Sequence, residues 1–282
     1  MNKLFALVLA VSGSAASAQT PTTNPMPDGS RDMYAGLGVV SGPRYDGAEN
    51  SKQRLLPVLQ VQWSNGVFVS GMSAGIHLSQ QPLVEFGPLL NLHPRRNESG
   101  LGGGVGTVEA SGTSILPGPV LTRYSGNRLT GMEEIKLRPE AGGFFNVYLA
   151  PQWRLTSSVL GGAGNDRNGV RAELGIQRLA VELAPQHTLS FSGGFTFVNT
   201  AYNRSYFGVS PAESASSGHR LYRPDGGLKD VHVGARWNWV LSPSWMLTSS
   251  LQATRLVNDA RRSPLVERPN NVTVSTAFAY RF

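Results

Sequence analysis

Residues 271–282 read NVTVSTAFAYRF. Val272, Val274, Phe278, Tyr280 and Phe282 fall on one side of a period-two count, and Thr273, Ser275, Ala277, Ala279 and Arg281 on the other. Successive side chains of a strand point to opposite faces, so this is a strand with one greasy face and one polar face. The same rule governs 187–198, where Leu189, Phe191, Phe195 and Phe197 alternate with Thr188, Ser190, Ser192 and Thr196. It governs 228–241 as well: Val231, Val233, Ala235, Trp237, Trp239 and Leu241 alternate with Asp230, His232, Gly234, Arg236 and Asn238. Strands of soluble sheets average about five or six residues. These are about twice that, close to the roughly 9–11 residues that cross a bilayer at a tilt. Their polar faces mix small residues with charges, which suits a barrel interior, and Trp63, Trp153, Trp237, Trp239 and Trp245 sit at or near strand ends, where an aromatic girdle belongs.

Composition points the same way. Only 15% of the 282 residues are charged, against roughly 25% in an average soluble protein. The 33 Gly and 18 Pro disfavour helix interiors, while 40% hydrophobic residues exclude wholesale disorder. The chain has no Cys, which excludes disulfides, thiol nucleophiles, Cys-ligated zinc and a lipid-modified N-terminal cysteine. No apolar run reaches the roughly 18 residues of a transmembrane helix. Lys3, the apolar run Leu4 to Val11 and the A-x-A site Ala16-Ser17-Ala18 form a secretory signal peptide, with cleavage expected after Ala18. The reading is therefore residues 1–18 as signal peptide, 19–32 as a flexible Pro-rich segment, and 33–282 as an all-β, antiparallel up-and-down barrel in the outer membrane. No Lys/Arg run marks a nucleic-acid partner, so none is expected.

Eleven segments carry the pattern: 33–41, 55–63, 67–78, 82–92, 132–145, 147–161, 169–183, 187–198, 228–241, 244–257 and 271–282. Bacterial single-chain barrels have an even count, so twelve strands are expected, the twelfth from the Gly-rich stretch Leu101 to Gly112, with ten as the alternative. Ala184-Pro185-Gln186 and Ser242-Pro243-Ser244 read as periplasmic turns, and 93–131, 199–227 and 258–270 as extracellular loops. A phase change near Gln177-Arg178 calls for a bulge.

Candidate functional residues lie on the polar faces. Glu134, Lys136, Arg138, Glu140, Arg154, Arg171, Glu173, Asp230, His232, Arg236 and Arg281 are read as lumen-facing charges. They form either a salt-bridge network that fills a narrow barrel or the wall of a pore for small polar or anionic solutes; a narrow lumen favours the network. Gly100, Gly102, Gly104 and Gly106 lack the strand-and-helix context of a phosphate cradle. His77, His93, His187, His219 and His232 never fall at metal-ligand spacing, and no Gly-x-Ser-x-Gly occurs, so no metal, cofactor or catalytic residue is expected; a barrel hydrolase is the remote alternative.

Three stretches carry a resemblance. Around Asn203 the chain has Tyr206-Phe207-Gly208-Val209, then Ser217-Gly218, Tyr222 and Gly226-Gly227-Leu228-Lys229-Asp230. Pro43-Arg44-Tyr45-Asp46-Gly47-Ala48 follows the first strand, and Ser263-Pro264-Leu265-Val266 precedes the last. Together they resemble the MltA-interacting protein/OmpV family of outer-membrane proteins over nearly the whole mature chain, with Arg95 to Leu121 as the departure. The resemblance implies a structural role: a barrel that scaffolds a murein lytic transglycosylase with a murein synthase, in contact with outer-membrane lipid and, during biogenesis, with the barrel-assembly machinery. It brings no catalytic residues.

Phe278, Tyr280 and Phe282 form an insertion signal on the lipid face of the last strand. Deleting Phe282, or Phe282→Asp, is expected to lower the amount of folded protein in fractionated outer membranes, read as heat-modifiable gel mobility. Thr273→Ala and Ser275→Ala, on the opposite face, are expected to leave it near the parent level.

Overall fold

The computed structural model describes residues 33–79, 81, 83–102 and 128–282. The chain runs through β1 (Tyr34–Pro43), β2 (Ser51–Gln62), β3 (Val67–Ser70), β4 (Ser73–Ile76) and β5 (Val84–His93). A small hairpin of β6 (Arg95–Asn97) and β7 (Gly100–Gly102) follows. The second half holds β8 (Arg138–Ala150), β9 (Trp153–Ala163), β10 (Gly169–Ala184), β11 (His187–Val198), β12 (Gly227–Ser242), β13 (Trp245–Leu256) and β14 (Asn270–Arg281). All except β6 and β7 close into one barrel of antiparallel neighbours, with β5 beside β8 and β1 sealed against β14. The seam is in register from Tyr34 opposite Arg281 to Ser41 opposite Val274, so Leu37 lies across from Phe278 on the outer surface.

The strand count is twelve, but the twelfth strand is not where the sequence placed it. Segment 67–78 is not one strand; it turns at Gly71 and Met72 into β3 and β4, with Gly71 at φ 60. Glycine adopts that left-handed conformation without the Cβ clash that would resist it elsewhere. Of the Leu101 to Gly112 candidate, Leu101 and Gly102 belong to β7 outside the barrel, and 103–112 lie outside the described residues. The signal peptide with Ala16 and Ala18, and the segment 19–32, also lie outside them. The boundary between the two central strands moves from residue 146 to the turn at Pro151 and Gln152. This has a consequence for the charges, because Glu134 and Lys136 then precede β8 and sit exposed in a loop.

The phase change in β10 is a register shift between Arg178 and Val181, with Ala180 at φ 44. The shift explains why the outward residues Leu174 and Ile176 are even-numbered while Leu179, Val181 and Leu183 are odd. Leu37, Leu55, Leu174, Phe191, Phe195, Leu251 and Phe278 are all exposed on the outer wall, as a surface solvated by lipid requires. Its tryptophans gather at the end that carries the short turns. Trp245 stacks on Phe278 at 4.6 Å, and the His187 ring stacks on Trp237 at 5.6 Å and on Trp239 at 5.3 Å. Short turns mark the periplasmic side and long connections the extracellular side. The long connections are folded: α1 (Thr200–Phe207) and α2 (Pro211–Ser217) lie between β11 and β12, and α3 (Asn258–Arg262) between β13 and β14.

Leu251 is the central outward residue of β13 and is 51% exposed. Leu251→Arg is expected to cost about 2–4 kcal/mol of stability, the cost of a cation near the bilayer midplane. Urea unfolding in phospholipid vesicles measures it, and Gln252→Ala on the inner face should cost under about 1 kcal/mol.

Candidate functional site: a paired lumen under a folded cap

Alternate residues of each strand point inward, so the lumen wall follows from the register. On β8 these include Arg138, Glu140, Phe144 and Tyr148, and on β5 Glu85, Leu89, Asn91 and His93. Glu140 is fully buried and accepts from Asn91 Nδ2 and from Arg171 Nε, both at 3.0 Å. Arg171 also bonds Glu173 through Nη1. Nearer the periplasmic end, Arg154 donates to Glu85 at 3.2 Å and to Gln177 Oε1 at 2.7 Å, while the Tyr148 hydroxyl donates to Glu85 at 2.7 Å. A charge buried without a counter-charge costs several kcal/mol, and these pairs remove that cost.

Near the extracellular end the pairing depends on an irregularity. Thr196 pairs with Asp230 but Phe197 pairs with Leu228, so Lys229 is an extra residue in β12. The bulge turns Lys229 and Asp230 both into the interior, where each is buried. Lys229 Nζ lies 3.0 Å from Asp230 and 3.1 Å from Asp46, which comes from the connection after β1. Asp230 also accepts from Thr196 at 3.0 Å and pairs with His232 Nδ1 at 3.1 Å.

Above this layer the long connections form a cap with cores of their own. Helix α1 starts where Asn199 accepts from the Tyr202 N–H at 2.9 Å, and it buries Tyr202, Asn203, Tyr206 and Phe207. Tyr202 and Tyr206 bracket the His93 ring, with hydroxyl-to-ring-nitrogen distances of 3.4 and 3.1 Å. Burial pushes the Tyr202 phenol up to about 12 and raises that of Tyr206 further, so both remain neutral hydrogen-bonding groups. Arg96, itself buried, donates to the Tyr206 and Ser205 carbonyls and fixes the end of α1; burial lowers its pKa. A second apolar cluster joins Tyr45, Ala48, Leu129, Met132, Val209 and Leu265 from four separate connections.

The residues that carried the family resemblance are the ties of this cap. The Tyr45 hydroxyl donates to the Leu265 carbonyl at 3.1 Å, and burial raises its pKa first of all causes. Gly47 sits at φ 93 with its N–H on Asn271 Oδ1 at 2.8 Å, and a Cβ there would meet Val266 at 2.7 Å. Asn203 donates to the Asp225 carbonyl, and the Gly208 N–H closes α1 on the Arg204 carbonyl at 3.1 Å. Ser263 Oγ donates to the Phe207 carbonyl at 2.6 Å, and the Pro264 carbonyl accepts from Arg128 at 3.0 Å. Gly226 leads into β12, which begins at Gly227.

Of the eleven lumen charges expected from sequence, Arg154, Arg171, Glu140, Glu173, Asp230 and His232 meet in these networks. Arg138 reaches the Asn165 carbonyl at 3.5 Å. Arg236 is half-buried beside Thr248 and Ser250, and Arg281 lies over the Tyr34 ring at the periplasmic end. Glu134 and Lys136 are not in the wall. The lumen-facing set read from sequence omitted Glu85, Asn91, His93 and Gln177; Asp46, Tyr206 and Lys229 stood there only within the family-like stretches, and Tyr202 not at all. The first four carried the signal, since each lies in phase with the polar face of its strand. Lys229 lies out of phase and could not be found by counting.

A family model described as MltA-interacting protein MipA matches residues 35–282. Outer membrane protein Omp26La of Vibrio anguillarum is 27% identical over 184 residues, which is 64% of this chain and 68% of that protein. The MltA-interacting protein of Escherichia coli K12 is 33% identical over 81 residues, 28% of this chain and 32% of that one. Among solved structures, the NanC porin aligns at a TM-score of 0.47 and 9% identity, covering 87% of this chain and all of its own.

Glu140→Ala strips the acceptor from Asn91 and Arg171 in the dry wall. The expected loss is about 3 kcal/mol or more in urea unfolding from vesicles, whereas Arg262→Ala, whose side chain is 74% exposed, should stay within about 0.5 kcal/mol.

Proposed function

The chain belongs to the family of the MltA-interacting protein MipA, and on that premise we propose that it is a structural protein of the Gram-negative envelope. In this reading the barrel anchors in the outer membrane and scaffolds murein-remodelling enzymes, a lytic transglycosylase and a murein synthase, through its periplasmic face. The observation that carries the reading is the filled interior. Glu85, Glu140 and Asp230 of the wall are each paired with a cation, and Tyr202, Tyr206 and Phe207 are buried over the mouth. A conduit needs a continuous solvated path, and a cap with its own apolar clusters opposes one. What remains for function is a rigid surface. On the periplasmic side that surface includes the turns at 63–66, 151–152, 185–186 and 243–244.

One observation favours the second reading, a narrow channel for small polar or anionic solutes. Gly38, Thr248, Ser250, Ser275 and Ala277, small or hydroxylated residues of β1, β13 and β14, line a small cavity together with Arg236 of β12. Two measurements on the purified barrel separate the readings. Immobilised protein is expected to retain a lytic transglycosylase or a murein synthase from solubilised envelopes above a control barrel. In planar bilayers it is expected to give no stable conductance steps. Stable steps without retention of either enzyme would replace the scaffold by the channel.

A further inference from the structure

Arg178 faces lipid rather than lumen. Outward residues of β10 are even-numbered up to the register shift, Leu174 and Ile176 among them, and Arg178 is the last of that series. Its neighbour Gln177 points inward, where its Oε1 accepts from Arg154. Across the strand pair Arg178 lies opposite Trp153, and its guanidinium stands over the Trp153 ring, 5.5 Å from the centroid. That ring is exposed on the outer wall, while Arg178 itself is half-buried against it. The bulge that follows fixes the arrangement. The Leu179 N–H donates to the Gln152 carbonyl at 2.8 Å, and the Ala180 N–H donates to Ser190 Oγ at 3.0 Å. Trp153 is the first residue of β9, directly after the turn at Pro151 and Gln152, so the pair stands at the periplasmic edge of the wall.

The ring attracts the charge of the guanidinium but supplies no lone pairs for its five N–H donors. At the membrane edge the acceptors within reach are water and lipid oxygens. Of these, the phosphodiester also brings the opposite charge, with two oxygens in the spacing that the planar fork matches. The indole adds one N–H donor at the level where tryptophan settles in a bilayer. Toward the membrane centre the same strip of wall turns apolar: Leu155 lies opposite Ile176, Leu174 follows, and all three are exposed. A phospholipid seated here sets its phosphate on the cation and its chain on the apolar residues, without a break between the two.

We propose that Arg178 and Trp153 form a binding site for the phosphodiester headgroup of a phospholipid in the periplasmic leaflet, with an acyl chain along Leu155, Ile176 and Leu174. The site needs only the folded barrel and is independent of murein-enzyme docking. Its test uses the full barrel in maltoside micelles, which contain no phosphate, titrated with phosphatidylglycerol. Diacylglycerol with the same chains, which lacks the phosphate, is the comparison probe. Native mass spectrometry counts lipids bound per barrel and reads the affinity, and heat-modifiable mobility certifies that each variant is folded. The parent is expected to bind phosphatidylglycerol at least about fivefold more tightly than diacylglycerol, and Arg178→Gln to remove that preference. Arg262→Gln, in the extracellular cap, is expected to keep it. Trp153→Leu is expected to weaken phosphatidylglycerol binding about threefold, and takes the place of Arg178→Gln if that protein does not fold. No preference for phosphatidylglycerol in the parent overturns the site, as does an undiminished preference in the folded Arg178→Gln protein, or in Trp153→Leu where only that one folds. An equal loss in Arg262→Gln traces the preference to bulk charge and overturns it as well.

Discussion

Inside a bilayer no backbone N–H or carbonyl can turn to water, so a sheet that crosses must end where it began. The pairing of β1 with β14, in register over Tyr34 to Ser41, meets that condition here. An open edge in hydrocarbon would leave a row of unsatisfied groups, each costing several kcal/mol. Closure then dictates what the side chains do. One face of every long strand must suit lipid, which accounts for exposed Leu174, Phe195 and Leu251, and the other must fill whatever space the ring encloses.

Twelve strands enclose a small space, and the polar half of each alternation is driven into it. That turns ordinary charged residues into buried ones. Glu140 is acceptable with no exposure because Asn91 and Arg171 converge on it, and Arg154 because Glu85 and Gln177 do. The extracellular connections continue the same logic above the membrane. Their apolar residues have no lipid to face, so they pack on each other, and Tyr202, Tyr206, Phe207 and Leu265 become the interior of a cap. The motif residues Tyr45, Gly47, Asn203 and Ser263 hold that cap to the barrel and to itself.

Much of this was legible in the order of residues. Period-two alternation located ten of the barrel's strands, eight of them within four residues and the pair read at 132–145 and 147–161 up to six residues early, because facing lipid or lumen is decided one residue at a time. Segment 67–78 misled because its alternation continues across Gly71, and the turn there rests on the backbone freedom of glycine rather than on any break in polarity. Glu134 and Lys136 misled for the opposite reason: they keep phase with Arg138 and Glu140 but lie beyond the end of the strand. The cap was read as polar loops, since short helices under long connections leave little periodicity.

The sequence by itself determined that this chain is a barrel, which face of each regular strand meets lipid, and the family it belongs to, because each of these rests on local pattern. Only the tertiary structure decided which charges neutralise one another. Lys229 meets Asp46 across 183 positions, and Tyr45 meets Leu265 across 220. Such partners are set by the register of closure and by bulges such as the one at Lys229, which reverses the face that counting assigns. A one-residue slip exchanges inside for outside, and whether it occurs depends on hydrogen bonds to a neighbouring strand far away in the chain.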